Sequence, residues 1–277
     1  MRIETIHSLE DPRVAEYRNL RDAALRRPGL FMAEGRLNVE RLIQSERFHP
    51  QSLFVTRTAL DAIEGTLADR YDDVPIYVAE QKVLNGVAGY DVHRGCLAVG
   101  VRPPERVLDV LLEDLAPGPA LLVLLEDVSN SDNVGGVFRN AMAFGVDAVL
   151  VTPKSVDPLY RKSIRVSMGA SLLVPFCRVS EDAAVILQLQ AAGFCVAALV
   201  TDRDAISLSH WSPVPPAPER VVLMLGAEGP GLSEEARRVA DVSLRIPMVS
   251  GADSLNLYTA AGIAMHHVAA VLRGALS

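Results

Sequence analysis

The sequence predicts an α/β fold built on a parallel sheet, and three observations carry that expectation. Of the 277 residues 49% are hydrophobic but only 5% are aromatic, so Ala, Val and Leu carry the apolar mass. That composition suits aliphatic strands packed under Ala-rich helices. From residue 119 onward, apolar runs alternate with helical segments, the pattern of parallel strands joined by right-handed crossovers. Glycine- and asparagine-marked turns follow several of those runs, at the strand edge where ligands of open parallel sheets bind.

Residues 1–102 read as a small α/β domain. Helical spacing from Asp11 to Leu25 puts Val14, Tyr17 and Leu20 on one face. Arg13, Arg18, Arg21, Arg26 and Arg27 lie on or just after it, either as a solvated face or as a phosphate-binding surface. Leu30–Ala33 reads as a strand, Glu34-Gly35 as a turn and Leu37–Ser45 as a helix. Ser52–Val55 and Pro75–Val78 are further strands. Residues 103–118, flanked by Pro103-Pro104 and Pro117-Gly118-Pro119, form a linker around one short amphipathic segment.

Residues 119–277 form the second domain. Ala120–Leu125 is apolar throughout, as a strand buried on both faces requires. A helix from about Gly136 to Phe144, strand Ala148–Val151 and helices Ser163–Gly169 and Glu181–Ala192 follow. Next come strand Phe194–Leu199, a proline-rich loop Ser212–Pro218, strand Val221–Leu225 and helix Ser233–Val239. A short strand over Leu244–Pro247 and a last helix from about Ser254 to Arg273 complete the chain.

Three turns are the candidate sites. In the first, Asn133 is placed to cap a helix, Gly135 and Gly136 allow close backbone approach, and Arg139 lies one turn inside. Asn-capped turn glycines with a surface arginine also occur without any ligand. The second, Gly226-Ala227-Glu228-Gly229-Pro230-Gly231-Leu232-Ser233, is neither GxGxxG nor a Walker A loop. Its Glu228 repels phosphate, so an uncharged or cationic ligand suits it better. The third runs from Ile246-Pro247-Met248 to Ser254-Leu255-Asn256, where Ser254 is placed to cap the final helix. An asparagine in a first helical turn is a poor helix former, and a specific hydrogen bond explains it better.

Composition excludes several classes. No segment reaches the ~18 uninterrupted apolar residues of a membrane span, and the acidic N-terminus does not read as a signal peptide. Cys96, Cys177 and Cys195 form no CxxC pair, and the adjacent His266 and His267 lack metal-ligand spacing, so neither a disulfide framework nor a metal site is expected. A reducing cytoplasm fits. The net charge of −7 argues against nucleic-acid binding by bulk charge, yet residues 1–57 hold ten basic and eight acidic residues. Only three of the 27 basic residues are lysines, and arginine is the better residue for bidentate phosphate contacts.

In order and spacing, the three turns resemble the three motifs of the SpoU/TrmH RNA ribose 2′-O-methyltransferases of the SPOUT class. Asn133-x-Gly135-x-x-x-Arg139, Gly226–Ser233 and Ile246–Asn256 correspond to motifs one, two and three. Phe31–Ser45 is similar to the strand-EG-helix signature of the family's RNA substrate-binding domain. The resemblance implies a deep trefoil knot, S-adenosylmethionine as methyl donor, an RNA substrate (ribosomal or transfer RNA) and a homodimer whose active site joins two chains. By position it implies Gly226, Ile246 and Leu255 as cofactor-binding residues. Arg139, Glu228 and Asn256 would be the catalytic set, with Asn133 in support. Leu257-Tyr258-Thr259 departs from the family pattern. A catalytically inactive RNA-binding protein of the same fold is the alternative, and a nucleotide-binding oxidoreductase is disfavoured by the missing GxGxxG.

Overall fold

The computed structural model describes residues 2–18, 29–68, 73–180, 183–211, 219–249, 251–252 and 254–273. The chain divides into two compact units, Met1–Pro104 with Pro158–Leu173, and Glu105–Asp157 with Val174–Ser277.

The first unit is a mixed five-stranded sheet. Its strands are β1 (Arg2–Thr5), β2 (Leu30–Glu34), β3 (His49–Val55), β4 (Pro75–Val78) and β5 (Cys96–Val101), in the order β1-β4-β3-β5-β2. β1, β4 and β3 are parallel, and β5 runs antiparallel to both β3 and β2. The carboxyl ends of β1–β4 and the start of β5 therefore share one edge. Helices α1 (Arg36–Gln44), α2 (Arg57–Ala68) and α3 (Gln81–Ala88) all begin at that edge. Ile6, Met32, Phe54, Leu84, Leu97 and Val99 pack into one apolar cluster with Val14 and Tyr17.

The helix expected from Asp11 is instead a short 3-10 turn, Pro12–Tyr17, with Arg18 already extended. Val14 and Tyr17 are buried as the spacing requires. Leu20, Arg21, Leu25, Arg26 and Arg27 lie outside the described residues. Arg13 is committed to its own unit: its guanidinium donates to Glu4 and Asp11 at 2.6 Å each. Those bonds hold the Asp11 carboxyl down to about 2.

The sixteen residues Pro158–Leu173 pack on this unit although they come from the middle of the expected second domain. They contain α6 (Arg161–Val166). Arg161 donates to Glu34 at 3.2 Å and to the Tyr90 hydroxyl at 2.6 Å, with its guanidinium over the Tyr90 ring at 4.9 Å. Ser45 Oγ donates to the Leu172 carbonyl at 2.9 Å.

The second unit is a seven-stranded, wholly parallel sheet. Its strands are β6 (Ala120–Leu125), β7 (Ala148–Val151), β8 (Phe176–Arg178), β9 (Cys195–Leu199), β10 (Ile206–Ser207), β11 (Arg220–Leu225) and β12 (Val242–Arg245). The order is β10-β12-β9-β11-β6-β7-β8. β11 enters between β9 and β6, and β12 between β10 and β9, so both late strands fill places between earlier ones.

One face of this sheet is packed by α4 (Leu108–Glu113), α7 (Ala183–Ala191) and α8 (Glu234–Val239), through Leu108, Leu111, Val185, Ile186, Leu189 and Ala236. Thus α4, read from its proline flanks as part of a linker, packs in the core of this unit. Two further helices, α5 (Ser131–Ala143) and α9 (Leu257–Arg273), pack against each other and contact β7 and β11 respectively. Phe138 of α5 meets Phe176 edge-on at 5.7 Å. Residues 181–182 and the proline-rich loop 212–218 lie outside the described residues.

Candidate active site

A cavity of about 610 Å³ lies within the second unit, where the chain leaves β9 and β11 and passes β12. Leu199, Leu225, Ile246, Leu255 and Leu257 give it apolar walls, and Gly226–Leu232 and Asn256 also line it. The size falls within the ~300–1,000 Å³ of small-molecule sites.

Gly226 can only be glycine here. A Cβ on it would lie 2.1 Å from the Gly231 carbonyl carbon and 2.2 Å from the Leu232 nitrogen. The loop doubles back on itself at this point, the Gly231 N–H donating to the Ala227 carbonyl at 3.0 Å. Gly229 and Gly231 hold φ of 91° and 76°, the left-handed conformation that favours glycine. Ser233 closes the loop. Its Oγ accepts from the Ala236 N–H at 3.1 Å and caps α8. Its own N–H and hydroxyl donate to the Glu126 carboxylate at 2.8 and 2.7 Å. Glu126, just past β6, thereby anchors the far end of the loop, a role that its sequence neighbourhood did not announce.

Asn133 is 1% exposed, and its Nδ2 donates to Glu228 Oε1. That bond ties α5 to the glycine loop. It is not a helix cap, contrary to expectation: α5 begins at Ser131 and is capped by Asn130, whose Oδ1 accepts from the Asp132 N–H at 2.8 Å. Gly135 and Gly136 consequently lie inside the helix, not in a turn before it. Gly136 admits α9: a Cβ there would lie 2.6 Å from Tyr258 Cγ. Asn140 Nδ2 donates to the Tyr258 carbonyl at 2.7 Å. The Oδ1 of Asn133 is buried and has no partner among the described residues, an acceptor held ready beside the loop.

Asn256, rather than Ser254, caps α9. Its Oδ1 accepts from the Tyr258 N–H and its carbonyl from the Ala260 N–H, both at 3.0 Å. The specific bond expected of this amide is therefore the local cap. Asp202 and Arg237 form an ion pair that also lines the cavity. Their separation of 35 positions hides that pair from any motif.

The structure thus gathers Gly226, Glu228, Ile246, Leu255 and Asn256 around one cavity and bonds Asn133 to Glu228. Arg139 stands apart. It is exposed on α5, is not among the lining residues, and makes no ion pair or side-chain hydrogen bond to another described residue. His266 packs edge-on against Phe144 at 5.4 Å, and His267 Nε2 contacts the Trp211 carbonyl at 3.0 Å. Among the described residues no group of three or more His, Cys, Asp or Glu side chains is placed to hold a metal ion. No helix among them is long and apolar enough to cross a membrane.

The model of the SpoU rRNA Methylase family matches residues 120–266, which span both walls of this cavity. The chain belongs to that family. An uncharacterised tRNA/rRNA methyltransferase of Mycobacterium tuberculosis is 37% identical over 270 residues, covering 95% of this chain and 91% of the relative. The crystal structure of an RNA 2′-O ribose methyltransferase superposes with a TM-score of 0.75 at 26% identity, covering 98% of this chain and 99% of that one. An AdoMet-bound rRNA methyltransferase from Sinorhizobium meliloti shares the fold, with a TM-score of 0.80 at 24% identity over 99% of both chains.

Proposed function

We propose that this SpoU-family chain transfers the methyl group of S-adenosylmethionine to a ribose 2′-hydroxyl of structured RNA, ribosomal or transfer, in the cytoplasm. The observation that carries the reading is the convergence of Gly226, Glu228, Ile246, Leu255 and Asn256 on one cavity.

The residues present suit the cofactor. Apolar walls from Leu199, Leu225, Ile246 and Leu255 match an adenine ring, and the tight backbone of the glycine loop offers N–H and C=O groups at close approach. Asn133, whose Oδ1 is an orphaned acceptor, is bonded through its Nδ2 to the cavity-lining Glu228. Gly226, Ile246 and Leu255 would hold the cofactor, which supplies an electrophilic methyl on a sulfonium. Carboxylate Glu228, held by Asn133, is compatible with a cationic ligand where it would repel a phosphate.

Arg139 is assigned to the substrate phosphate and ribose. Arginine stays charged near neutrality, so it serves better as a clamp than as a base. A guanidinium beside the acceptor ribose favours loss of the hydroxyl proton, which passes to an oxygen of the substrate phosphate, and fixes the attacking oxygen in line; positioning of this kind contributes several kcal/mol, up to ~7–11 in ideal cases. Because Arg139 does not line its own chain's cavity, we place it in the site of a second copy, as a homodimer with a shared active site requires. Its exposure without a partner among the described residues, and the exposed Tyr258 and Ile263 on α9 at 42% each, support that assembly. The insertion of β11 and β12 between earlier strands supports a knotted path for the chain after β11.

The test is methyl transfer from labelled S-adenosylmethionine to RNA of a strain lacking the gene. Label should survive alkaline hydrolysis within dinucleotides, because a 2′-O-methyl group blocks cleavage at its own linkage. Arg139→Ala should lower transfer at least ~100-fold while calorimetry shows unchanged cofactor binding. Wild-type turnover by that variant would overturn the assignment. A chain that binds RNA but no cofactor would be the inactive alternative, against which the retained Arg139, Glu228 and Asn256 argue.

A further inference from the structure

We propose that the Asp202–Arg237 pair holds the amino-acid end of S-adenosylmethionine, Arg237 taking its α-carboxylate and Asp202 its α-ammonium. The assignment rests on the cofactor reading above and deepens it, by naming the residues that tell this cofactor from other adenosine derivatives.

The charges of the cavity carry the inference. Among the described residues that line it, the charged side chains are Asp202, Glu228 and Arg237. S-adenosylmethionine bears a sulfonium, an α-ammonium and an α-carboxylate. The lining thus offers a pair of anions and a cation to a ligand with a pair of cations and an anion. Glu228 is tied to Asn133 of α5 and is the carboxylate suited to the sulfonium. Asp202 and Arg237 meet each other, and together they complement a zwitterion. The apolar walls suit adenine and offer nothing to a carboxylate.

Both members stand on fixed backbone with side chains free to turn to a ligand. Asp202 follows the end of β9 and opens a turn in which the Ala205 N–H donates to its carbonyl at 3.2 Å. Arg245 of β12 fastens that turn, its Nε donating to the Ala205 carbonyl at 3.1 Å. Arg237 stands on α8, its N–H donating at 3.0 Å to the carbonyl of Ser233, the residue that caps the helix and closes the glycine loop. The Arg237 and Asp202 side chains are 43% and 46% exposed.

An ion pair so exposed contributes little to stability. The last turn of α8 suits a cation, but that preference does not account for a guanidinium that meets a carboxylate in the cavity wall. In the free chain each partner satisfies the other. On binding, the ligand's carboxylate and ammonium replace that contact with a charge-assisted bond to each member, so every charge keeps a partner. An apolar cleft alone accepts any adenosine derivative. The pair selects those that carry the zwitterion. Substrate and product share that end, so the pair holds both, and Glu228 alone among the charged lining residues senses the loss of the sulfonium.

Calorimetry of the full chain with S-adenosylmethionine, S-adenosylhomocysteine, decarboxylated S-adenosylmethionine and 5′-methylthioadenosine tests the proposal. Arg237→Gln should weaken the first two roughly tenfold, while the ligands without a carboxylate keep their affinity. Asp202→Asn should weaken every ligand that carries the ammonium and spare 5′-methylthioadenosine. The exchange variant, Asp202→Arg with Arg237→Asp, keeps an ion pair with its charges reversed. Its melting temperature should match that of the wild type, and its affinity for S-adenosylmethionine should stay low. Recovery of affinity by the exchange variant would overturn the proposal, since it would mark the pair as a brace for the loop. Equal losses for all the ligands, 5′-methylthioadenosine included, would overturn it as well and leave the cofactor reading standing. Failure of the wild-type chain to bind S-adenosylmethionine would strike both together.

Discussion

At the scale of single residues, the site depends on positions where one atom too many is fatal. Gly226 is the sharpest case, since a methyl group there meets backbone of its own loop at 2.1 Å. Backbone cannot rotate aside as a side chain would, so the loop must open. Gly226→Ala should weaken S-adenosylmethionine binding at least ~10-fold and destabilise the fold by about 1–3 kcal/mol. Calorimetry and thermal unfolding of the same sample measure the two. Asn133 and Asn256 divide the amide roles differently from the sequence reading: the first bonds Glu228, the second caps α9. Which atom an asparagine amide reaches is fixed by tertiary placement, and spacing alone does not carry that information.

At the scale of elements, the join between α5 and α9 decides how the first and third motifs meet. Gly136 on α5 leaves room for Tyr258 on α9. Gly136→Ala should destabilise the protein by about 1–3 kcal/mol through overpacking. Adding Tyr258→Ala should recover much of that loss, and a urea-unfolding double-mutant cycle reads the coupling. The same contact explains an error of boundary. Two adjacent glycines after Asn133 read as a turn because glycine is a weak helix former. Here they are the cost of close helix packing, a tertiary cause invisible in the segment itself.

Strands β6, β7 and β11 were legible because their apolar runs are continuous and bounded. Strand β5 (CLAVGV) was passed over: it lacks alternation and contains Gly100, whose missing Cβ accommodates the Phe31 ring. Two-residue β10 carries too little pattern to detect. Of the site, Gly226, Ile246 and Leu255 were reachable through the order of the motifs, whereas Glu126 and the Asp202–Arg237 pair depend on long-range closure.

At the scale of the whole molecule, the notable departure is the segment Pro158–Leu173. Its residues leave the parallel sheet after β7, pack on the first unit, and return to form β8. Apolar residues such as Ile164 and Leu172 mark it for burial without saying against what. Arg161 is the polar fastening, set between buried Glu34 and Tyr90. Arg161→Ala leaves the Glu34 carboxylate, 8% exposed, without its cation. The expected loss is about 2–3 kcal/mol, with earlier proteolytic cutting in 158–173. Urea denaturation and timed limited proteolysis would check it, and an unchanged midpoint would show the fastening to be idle.

The polypeptide passes between its two units three times, near residues 104, 157 and 173. No single cut in the gene therefore releases either half whole. A fragment starting at residue 105 would still carry the strip that belongs on its lost companion, with sticky apolar flanks and a stranded arginine. Recombination that swapped the front half for that of a distant cousin would have to rewrite this strip as well. The two halves are thus bound to evolve as one inherited piece.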